Sequence, residues 1–280
     1  MQIVDSHPHI YSGDIKKFPS IDDAWEPGEP ASVEDLKKHM NDNGVSKAVF
    51  IQTSTYYGFD NKYVIESANT NKDWATGVIT LDPDKPENLE FLEKTVKNSN
   101  IRGLRGIKDS NGKISSQSVY NLWEKALELN IPVNCMVTDD LDTSFEINQI
   151  AKDLYPLKII IDHCFMLNSI RKTTETLDTL ESLSKNENIF AKLTSGTHGS
   201  ARIFPHKDMH QPIKEVIEMF GSSRCVWGSN FPNSLWSKGT SYSENLEFIS
   251  TELGLSLLDK KNILSNVPLQ LWFKDTDKSI

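Results

Sequence analysis

The chain has 280 residues, of which 38% are hydrophobic and 25% charged, a composition typical of a globular protein with a sizeable buried core. Its formal net charge of −9 argues against a broad basic face, and therefore against general nucleic-acid binding or attraction to an anionic membrane surface. The sequence also contains no run of about 18 apolar residues that could span a membrane.

Three cysteines, Cys135, Cys164 and Cys225, lie in apolar strand-like runs and show no CxxC spacing. An odd number of separated cysteines is typical of free thiols in a reducing compartment rather than of a disulfide framework. The N-terminus has no charged segment followed by an apolar stretch, so it does not resemble a secretory signal. The sequence therefore predicts a cytoplasmic protein.

Short apolar runs rich in β-branched residues recur along the chain. Strands that are buried on both faces of a parallel sheet are expected to be almost continuously apolar rather than alternating. The pattern predicts eight strands, at residues 2–7, 46–53, 74–80, 101–107, 131–137, 157–163, 189–195 and 224–230.

The segments between these strands carry helix signals. Residues 32–44 begin with Ser32 as a candidate N-cap, have Asp35 three residues later and end at Gly44. Alternating strands and helices predict an α/β fold, a single (β/α)8 TIM barrel spanning residues 1–280. A doubly wound open sheet is the alternative, but the first strand lacks the glycine-rich turn that usually accompanies that fold.

One connection is much longer than the others. Residues 10–31 contain Pro19, Pro27 and Pro30 together with several aromatic residues. A loop of this length is usually functional or disordered. Because it directly follows the first strand, we expect it to lie over the barrel mouth as a lid.

Polar side chains stand at the ends of most predicted strands, which is where barrels of this type carry their active sites. His7 and His9 are two residues apart on a strand, so both imidazoles point the same way and can bind a divalent metal or a substrate anion. The strand-end residues are His7, His9, Gln52, Arg102, Arg105, Asn134, Cys135, Asp162, His163, Lys192 and Asn230.

Several segments resemble the amidohydrolase-related family, in particular its lactonase branch, which includes 2-pyrone-4,6-dicarboxylate lactonase and the sugar lactonases. The resemblance covers residues 2 to about 273, and its most specific parts are the opening "DSHPH" and the segment "RCVWGSNFP". Further landmarks are "IRGLRGI", "IIIDHCF", "FAKLTSG" and "NILSNVPLQLW". The family fold is a (β/α)8 barrel, in agreement with the strand count.

The resemblance implies roles for individual residues. His7 and His9 match the family's His-x-His, and His163 matches the histidine of the sixth strand. Arg105 matches an arginine that contacts a substrate carboxylate in the lactonases. Asn230 stands where most members have an aspartate that binds metal or serves as the general base, so this chain has lost that carboxylate.

The leading hypothesis is a hydrolase that cleaves the ester bond of a small lactone, with no cofactor, because the lactonase branch works without a metal. Asn230 cannot take a proton from water at neutral pH. The general base is therefore predicted to be His163, followed by one of the strand-1 pair, with Asn230 orienting the water. A zinc ion held by His7, His9 and His163 is the alternative.

The substrate is expected to be a carboxylated or polyhydroxylated small molecule, because cationic side chains gather at the strand ends of an acidic protein. Two other functions remain open: a metal-dependent decarboxylase or C–C/C–N hydrolase, and a catalytically degenerate barrel that binds a metabolite. Monomers and homo-oligomers are both compatible with the sequence. The predicted substrate-binding residues are Arg105, Lys192, Gln52, Tyr57, His198 and Arg202.

Overall fold

The computed structural model describes residues 1–137, 141–237 and 239–274. The predicted domain of residues 1–280 therefore includes positions 138–140, 238 and 275–280, which lie outside the described residues. The described chain contains one sheet of eight strands, each parallel to its neighbours in the order β1 to β8. The strands are β1 (Ile3–Asp5), β2 (Val45–Ile51), β3 (Ala75–Thr80), β4 (Ile101–Gly106), β5 (Val133–Cys135), β6 (Ile159–Ile161), β7 (Ile189–Lys192) and β8 (Cys225–Val226).

These eight strands confirm the predicted (β/α)8 barrel, although most are shorter than the apolar runs that predicted them. Helices connect them along the chain. The longer helices are α1 (Val33–Asp42), α3 (Lys62–Thr70), α4 (Asn88–Asn98), α5 (Gln117–Glu128), α6 (Thr143–Asp153), α8 (Thr173–Ser184) and α10 (His210–Phe220). The short helical segments are α2 (Ser54–Tyr57), α7 (His163–Met166), α9 (Ser195–His198), α11 (Asn233–Trp236), α12 (Tyr242–Glu247), α13 (Leu257–Lys261) and α14 (Val267–Trp272). No helix within the described ranges is long and apolar enough to cross a membrane.

The barrel closes between the segments that follow β1 and β8. The backbone N–H of Asn230 donates to the His7 carbonyl at 3.0 Å, and that of His9 donates to the Phe231 carbonyl at 2.8 Å. Gly228 makes this close approach possible, because a Cβ atom there would lie 2.4 Å from the His7 Cβ. The end of the last strand is thereby fixed against the first two histidines.

The apolar residues form two layers. A large layer lies between the sheet and the surrounding helices, and a smaller one lies inside the barrel, where Val4, Val49, Val78, Ile160 and Val226 from different strands pack together over Trp272. This inner layer is the floor beneath the polar strand ends. It leaves the carboxyl-terminal mouth of the barrel as the position for polar chemistry.

The segment 10–31 lies across part of this mouth, as the sequence predicts. Its two ends are joined by a hydrogen bond from the Tyr11 N–H to the Ala31 carbonyl at 2.9 Å, and Trp25 donates to the Thr55 carbonyl at 3.0 Å. The Trp25 ring lies 5.6 Å from that of Trp236, which in turn lies 5.6 Å from the ring of His9. We call residues 10–31 the lid.

Candidate active site

The three strand-end histidines come together inside the mouth. The rings of His7 and His9 are 5.0 Å apart, and the ring of His163 is 4.6 Å from that of His7, both pairs in edge-to-face contact. All three side chains are buried. Residues separated by more than 150 positions in the chain thus form one histidine cluster.

His163 owes its position to an unusual backbone. The four residues of α7 all have positive φ, from 46° to 57°, a conformation that costs a non-glycine residue roughly 1–2 kcal/mol. The Ser195 hydroxyl donates to the His163 carbonyl, and the Cys164 thiol donates to the Lys192 carbonyl at 3.2 Å. Backbone strain of this kind, held in place by the surrounding structure, is concentrated at functional sites.

A buried carboxylate lies beneath the histidines between two cations. Asp162 Oδ1 is 2.8 Å from Lys192 Nζ, and Asp162 Oδ2 is 3.6 Å from Arg105 Nε. Lys192 Nζ also lies 3.0 Å from His7 Nδ1. Lys192 and Asp162 are both inaccessible to solvent, and Arg105 is 7% exposed.

The imidazoles are neutral in this environment. Burial lowers the pKa of His9 to about 3, with the positive charge of Arg105 as the next contribution. Burial also lowers the pKa of His7 and of His163 well below the ordinary value. A neutral imidazole has one donating and one accepting nitrogen. The tautomer of each ring therefore determines whether the nitrogen that faces the mouth donates or accepts a hydrogen bond.

The hydrogen bond at Nδ1 determines the tautomer of His9. His9 Nδ1 lies 3.0 Å from the Ile51 carbonyl oxygen, which can only accept. The neutral ring therefore carries its proton on Nδ1 and has its lone pair on Nε2. His163 Nδ1 lies 2.7 Å from the Thr194 hydroxyl, which can donate or accept and so permits either tautomer.

Asn230 is placed by the same barrel closure. It has φ of 56°, in the left-handed region that asparagine tolerates better than most residues. Its side chain is 1% exposed, and neither Oδ1 nor Nδ2 has a hydrogen-bond partner among the described residues. A buried amide without partners costs about 1–3 kcal/mol for each unsatisfied group, which indicates a position adapted to a ligand or water.

Other buried polar atoms around the mouth also lack hydrogen-bond partners. Thr80, Arg105 and Asn134 are paired in register on β3, β4 and β5, so their side chains lie in one row on the inner face. Buried polar atoms normally have partners, and a cluster without them needs an explanation. In the described chain the buried atoms here without a hydrogen-bond partner are His7 Nε2, Gln52 Oε1, Thr80 Oγ1, Arg105 Nε, Asn134 Oδ1 and Nδ2, Asp162 Oδ1 and Oδ2, and Asn230 Oδ1 and Nδ2. Those of Arg105 and Asp162 do have the ion-pair contacts given above.

The remaining predicted site residues differ in their positions. Gln52 is buried, and its Nε2 donates to the Gly58 carbonyl at 2.9 Å. The Tyr57 hydroxyl accepts a hydrogen bond from the Ser12 N–H at 2.7 Å and so anchors the lid. His198 lies beside the cluster, 5.6 Å from the His163 ring, whereas Arg202 is exposed and is not brought to the cluster by any described contact. Their roles in substrate binding stay predictions.

Two further polar residues lie near the site. Asp5 accepts hydrogen bonds from the backbone N–H groups of Ser229 at 2.8 Å and His7 at 3.2 Å and from the Tyr242 hydroxyl at 2.9 Å, so it fixes the ends of β1 and β8 together. Thr80 ends a predicted strand, but its hydroxyl does not titrate, so the sequence gives no signal that singles it out.

The cluster does not fit a divalent metal. His7, His9 and His163 are close together, but the Lys192 ammonium lies at His7 Nδ1, so His7 Nε2 carries a proton and cannot bind a metal, and the Asp162 carboxylate beside them is paired with two cations. Asn230 supplies a neutral amide, a poor ligand beside imidazole. Within the described ranges no three His, Cys, Asp or Glu side chains are grouped to hold a metal ion.

Polar strand ends over an apolar floor form the kind of pocket in which enzymes of the (β/α)8 class carry their active sites. The amidohydrolase family model matches residues 4–274. The chain therefore belongs to the amidohydrolase family, as the sequence motifs predict, and is a hydrolase.

The chain is also similar to three known proteins, one in sequence and two in structure. The L-fucono-1,5-lactonase of Burkholderia ambifaria is 24% identical over 254 residues, 82% of this chain and 80% of that protein. A putative 2-pyrone-4,6-dicarboxylic acid hydrolase from Pseudomonas putida has a similar structure, with a TM-score of 0.81 at 21% identity over 97% of both chains. A zinc-bound amidohydrolase from Burkholderia multivorans has a TM-score of 0.79 at 15% identity, over 97% of this chain and 99% of that one.

Proposed function

We propose that the protein hydrolyses a small lactone that carries a carboxylate, by attack of water on the lactone carbonyl, and that it does so without a required metal. The observation that carries this proposal is the buried, positively charged cluster with partnerless polar atoms on several strands. The similarity to an L-fucono-1,5-lactonase supports the reaction class.

Charge favours an anionic substrate. Lys192 and Arg105 are cations, Asp162 is the single carboxylate between them, and the three histidines are neutral. These six side chains therefore sum to one positive charge. A buried net charge is costly unless it is paired, and a substrate carboxylate would pair it while offering acceptors to Arg105.

The reaction divides between the neutral histidines. His7 Nε2 donates a hydrogen bond to the carbonyl oxygen as negative charge develops there. Asn230 orients the attacking water through its amide. The proton acceptor is His9, because Ile51 keeps the lone pair on Nε2, and His163 is the second candidate. This order reverses the one predicted from the sequence.

The atoms balance in a simple sequence. Water oxygen bonds to the carbonyl carbon while His9 Nε2 takes the water proton, and the tetrahedral intermediate then collapses with cleavage of the ring C–O bond. The leaving alkoxide takes a proton from the imidazolium, so the product is an open-chain hydroxy acid. A carboxylate bound at Arg105 offsets that cation's effect on His9, which makes His9 a better base in the complex.

A paired substrate screen tests the proposal. Small lactones with and without a carboxylate would be compared in a pH-indicator assay, before and after treatment with a chelator, with the metal content measured by elemental analysis. We expect turnover of a carboxylated lactone that survives metal removal. Loss of activity on chelation with recovery on adding zinc, carbon dioxide release from an aromatic acid, or binding without turnover would each overturn the proposal.

Substituting Asn230→Asp should weaken binding of a carboxylated lactone. The new carboxylate would cancel the positive charge of the cluster, and two unit charges about 8 Å apart interact by about 2 kcal/mol at an effective dielectric constant near 20. We expect KM to rise at least about tenfold while kcat changes less. Asn41→Asp, at an exposed position of α1, is the matched control. A large rise in kcat would instead show that the native site lacks its base.

The compartment and substrate class belong to the same proposal. The three cysteines are buried, unpaired thiols, which agrees with a reducing environment, and we assign the protein to the cytoplasm. A carboxylated lactone is preferred over a neutral polyol because Arg105 lies in the cluster with only distant contacts to Asp162 and the Gln52 carbonyl.

A further inference from the structure

We propose that Lys192 is a positioning residue that fixes the tautomer of His7, rather than a residue that binds substrate. By holding the proton on His7 Nε2, it makes His7 a hydrogen-bond donor toward the mouth. The consequence for catalysis rests on the proposed lactonase function, but the tautomer itself does not.

The geometry around His7 carries the inference. Lys192 is inaccessible to solvent, and its Nζ lies 3.0 Å from His7 Nδ1 and 2.8 Å from Asp162 Oδ1. An ammonium group has three donors and no acceptor. His7 Nδ1 must therefore accept, and the neutral ring carries its proton on Nε2, a buried atom without a partner among the described residues.

Asp162 keeps the lysine in its donating form. Burial lowers the Lys192 pKa, and the Asp162 carboxylate acts in the opposite direction as the largest favourable influence. A neutral amine would leave Asp162 with only the Arg105 guanidinium, whose Nε is 3.6 Å away. A buried carboxylate with so distant a partner is costly, so the charged lysine is the stable arrangement.

His9 provides the contrast. Its Nδ1 faces the Ile51 carbonyl at 3.0 Å, which can only accept, so its proton is on Nδ1 and its lone pair is on Nε2. Two histidines on the same strand end, with rings 5.0 Å apart, thus have opposite tautomers. One donates to the carbonyl oxygen and the other accepts from water, which is the division of labour that ester hydrolysis needs.

Removing the lysine should reverse the tautomer of His7. Without the ammonium, the nearest charged partner of His7 Nδ1 is Asp162 Oδ1, 3.8 Å away, and a carboxylate can only accept. The ring then places its proton on Nδ1, and Nε2 loses its hydrogen. Replacing Lys192→Arg retains a cationic donor and should retain the native tautomer.

The test is a two-bond proton–nitrogen correlation spectrum of protein labelled with ¹⁵N-histidine, recorded without substrate and assigned with H7Q and H9Q. In the native protein we expect His7 protonated at Nε2 and His9 at Nδ1. In K192M we expect the His7 pattern to invert while His9, an internal control, stays unchanged. On the lactone found by the screen, kcat should fall about 10²-fold, as for loss of one oxyanion donor, with a smaller change in KM.

A matched control is K158M, since Lys158 lies over the Phe190 ring at 5.9 Å outside the cluster; both tautomers and kcat should be unchanged. Protonation of His7 at Nδ1 in the native protein would overturn the proposal, even if K192M does not fold. An unchanged His7 pattern in folded K192M would do the same. If the native tautomers are as expected but no lactone is hydrolysed, the proposed function is rejected and this inference about the tautomer is supported.

Discussion

Hydrolysis of a carboxylated lactone should fall by roughly 10²–10⁴-fold in kcat/KM when Arg105 is replaced by methionine. Arg105 is 7% exposed and contacts Asp162 and the Gln52 carbonyl only at 3.6 and 3.5 Å, so its guanidinium retains donors for a substrate. Hydrogen bonds to a charged group contribute about 1.5–3 kcal/mol each, and a bidentate pair with a carboxylate makes two.

The comparison that decides the point uses two substrates. In R105M, kcat/KM should fall much less for a neutral lactone than for a carboxylated one, because only the carboxylated substrate places an anion against the guanidinium. R102M is the matched control: Arg102 is on the same strand, but its guanidinium donates to the Ser99 and Ile101 carbonyls at 3.1 and 2.9 Å. An equal fall in kcat/KM for both substrates would mean that Arg105 supports the fold rather than binding the carboxylate. A lower thermal unfolding midpoint of R105M would then be expected.

Replacing His9 with glutamine should lower kcat by about 10²–10⁴-fold, the usual contribution of a general base, with little change in KM. The Ile51 carbonyl holds the proton of His9 on Nδ1, so the lone pair that accepts a proton is on Nε2. A glutamine amide can donate to the same carbonyl, but it cannot take a proton from water at neutral pH.

Single-turnover measurements of H9Q and H163Q, compared with the native protein, separate the two candidate bases. We expect the single-turnover rate of H163Q to fall by less than about tenfold. H39Q should be neutral, because His39 stacks on Tyr242 at a ring distance of 5.7 Å, outside the histidine cluster. A larger loss in H163Q than in H9Q would return the base role to His163, the assignment predicted from the sequence.

Most of the fold could be predicted from the sequence because its signals are local. Each strand of the barrel coincides with an apolar run, and the parallel order follows from alternating strands and helices. The strands proved shorter because a barrel needs only a few residues of each in the ladder, while the polar strand ends continue into the mouth as irregular segments.

The location of the candidate site was predictable for the same reason. Strands of one barrel end at one face, so His7, His9, His163, Lys192 and Asn230 could be assigned to a common mouth without coordinates. Arg202 follows the seventh strand in sequence, yet its long loop carries it to the surface. Loop conformation depends on contacts that periodicity does not describe.

The sequence by itself determined the barrel, the set of polar strand ends and the presence of an amide rather than a carboxylate at position 230. Only the tertiary structure decided what each group does. Lys192 and His7 are 185 positions apart, and His9 meets the Ile51 carbonyl 42 positions away. A tautomer depends on the one atom facing a ring nitrogen at hydrogen-bond distance, and contacts between distant segments arise only when the barrel closes.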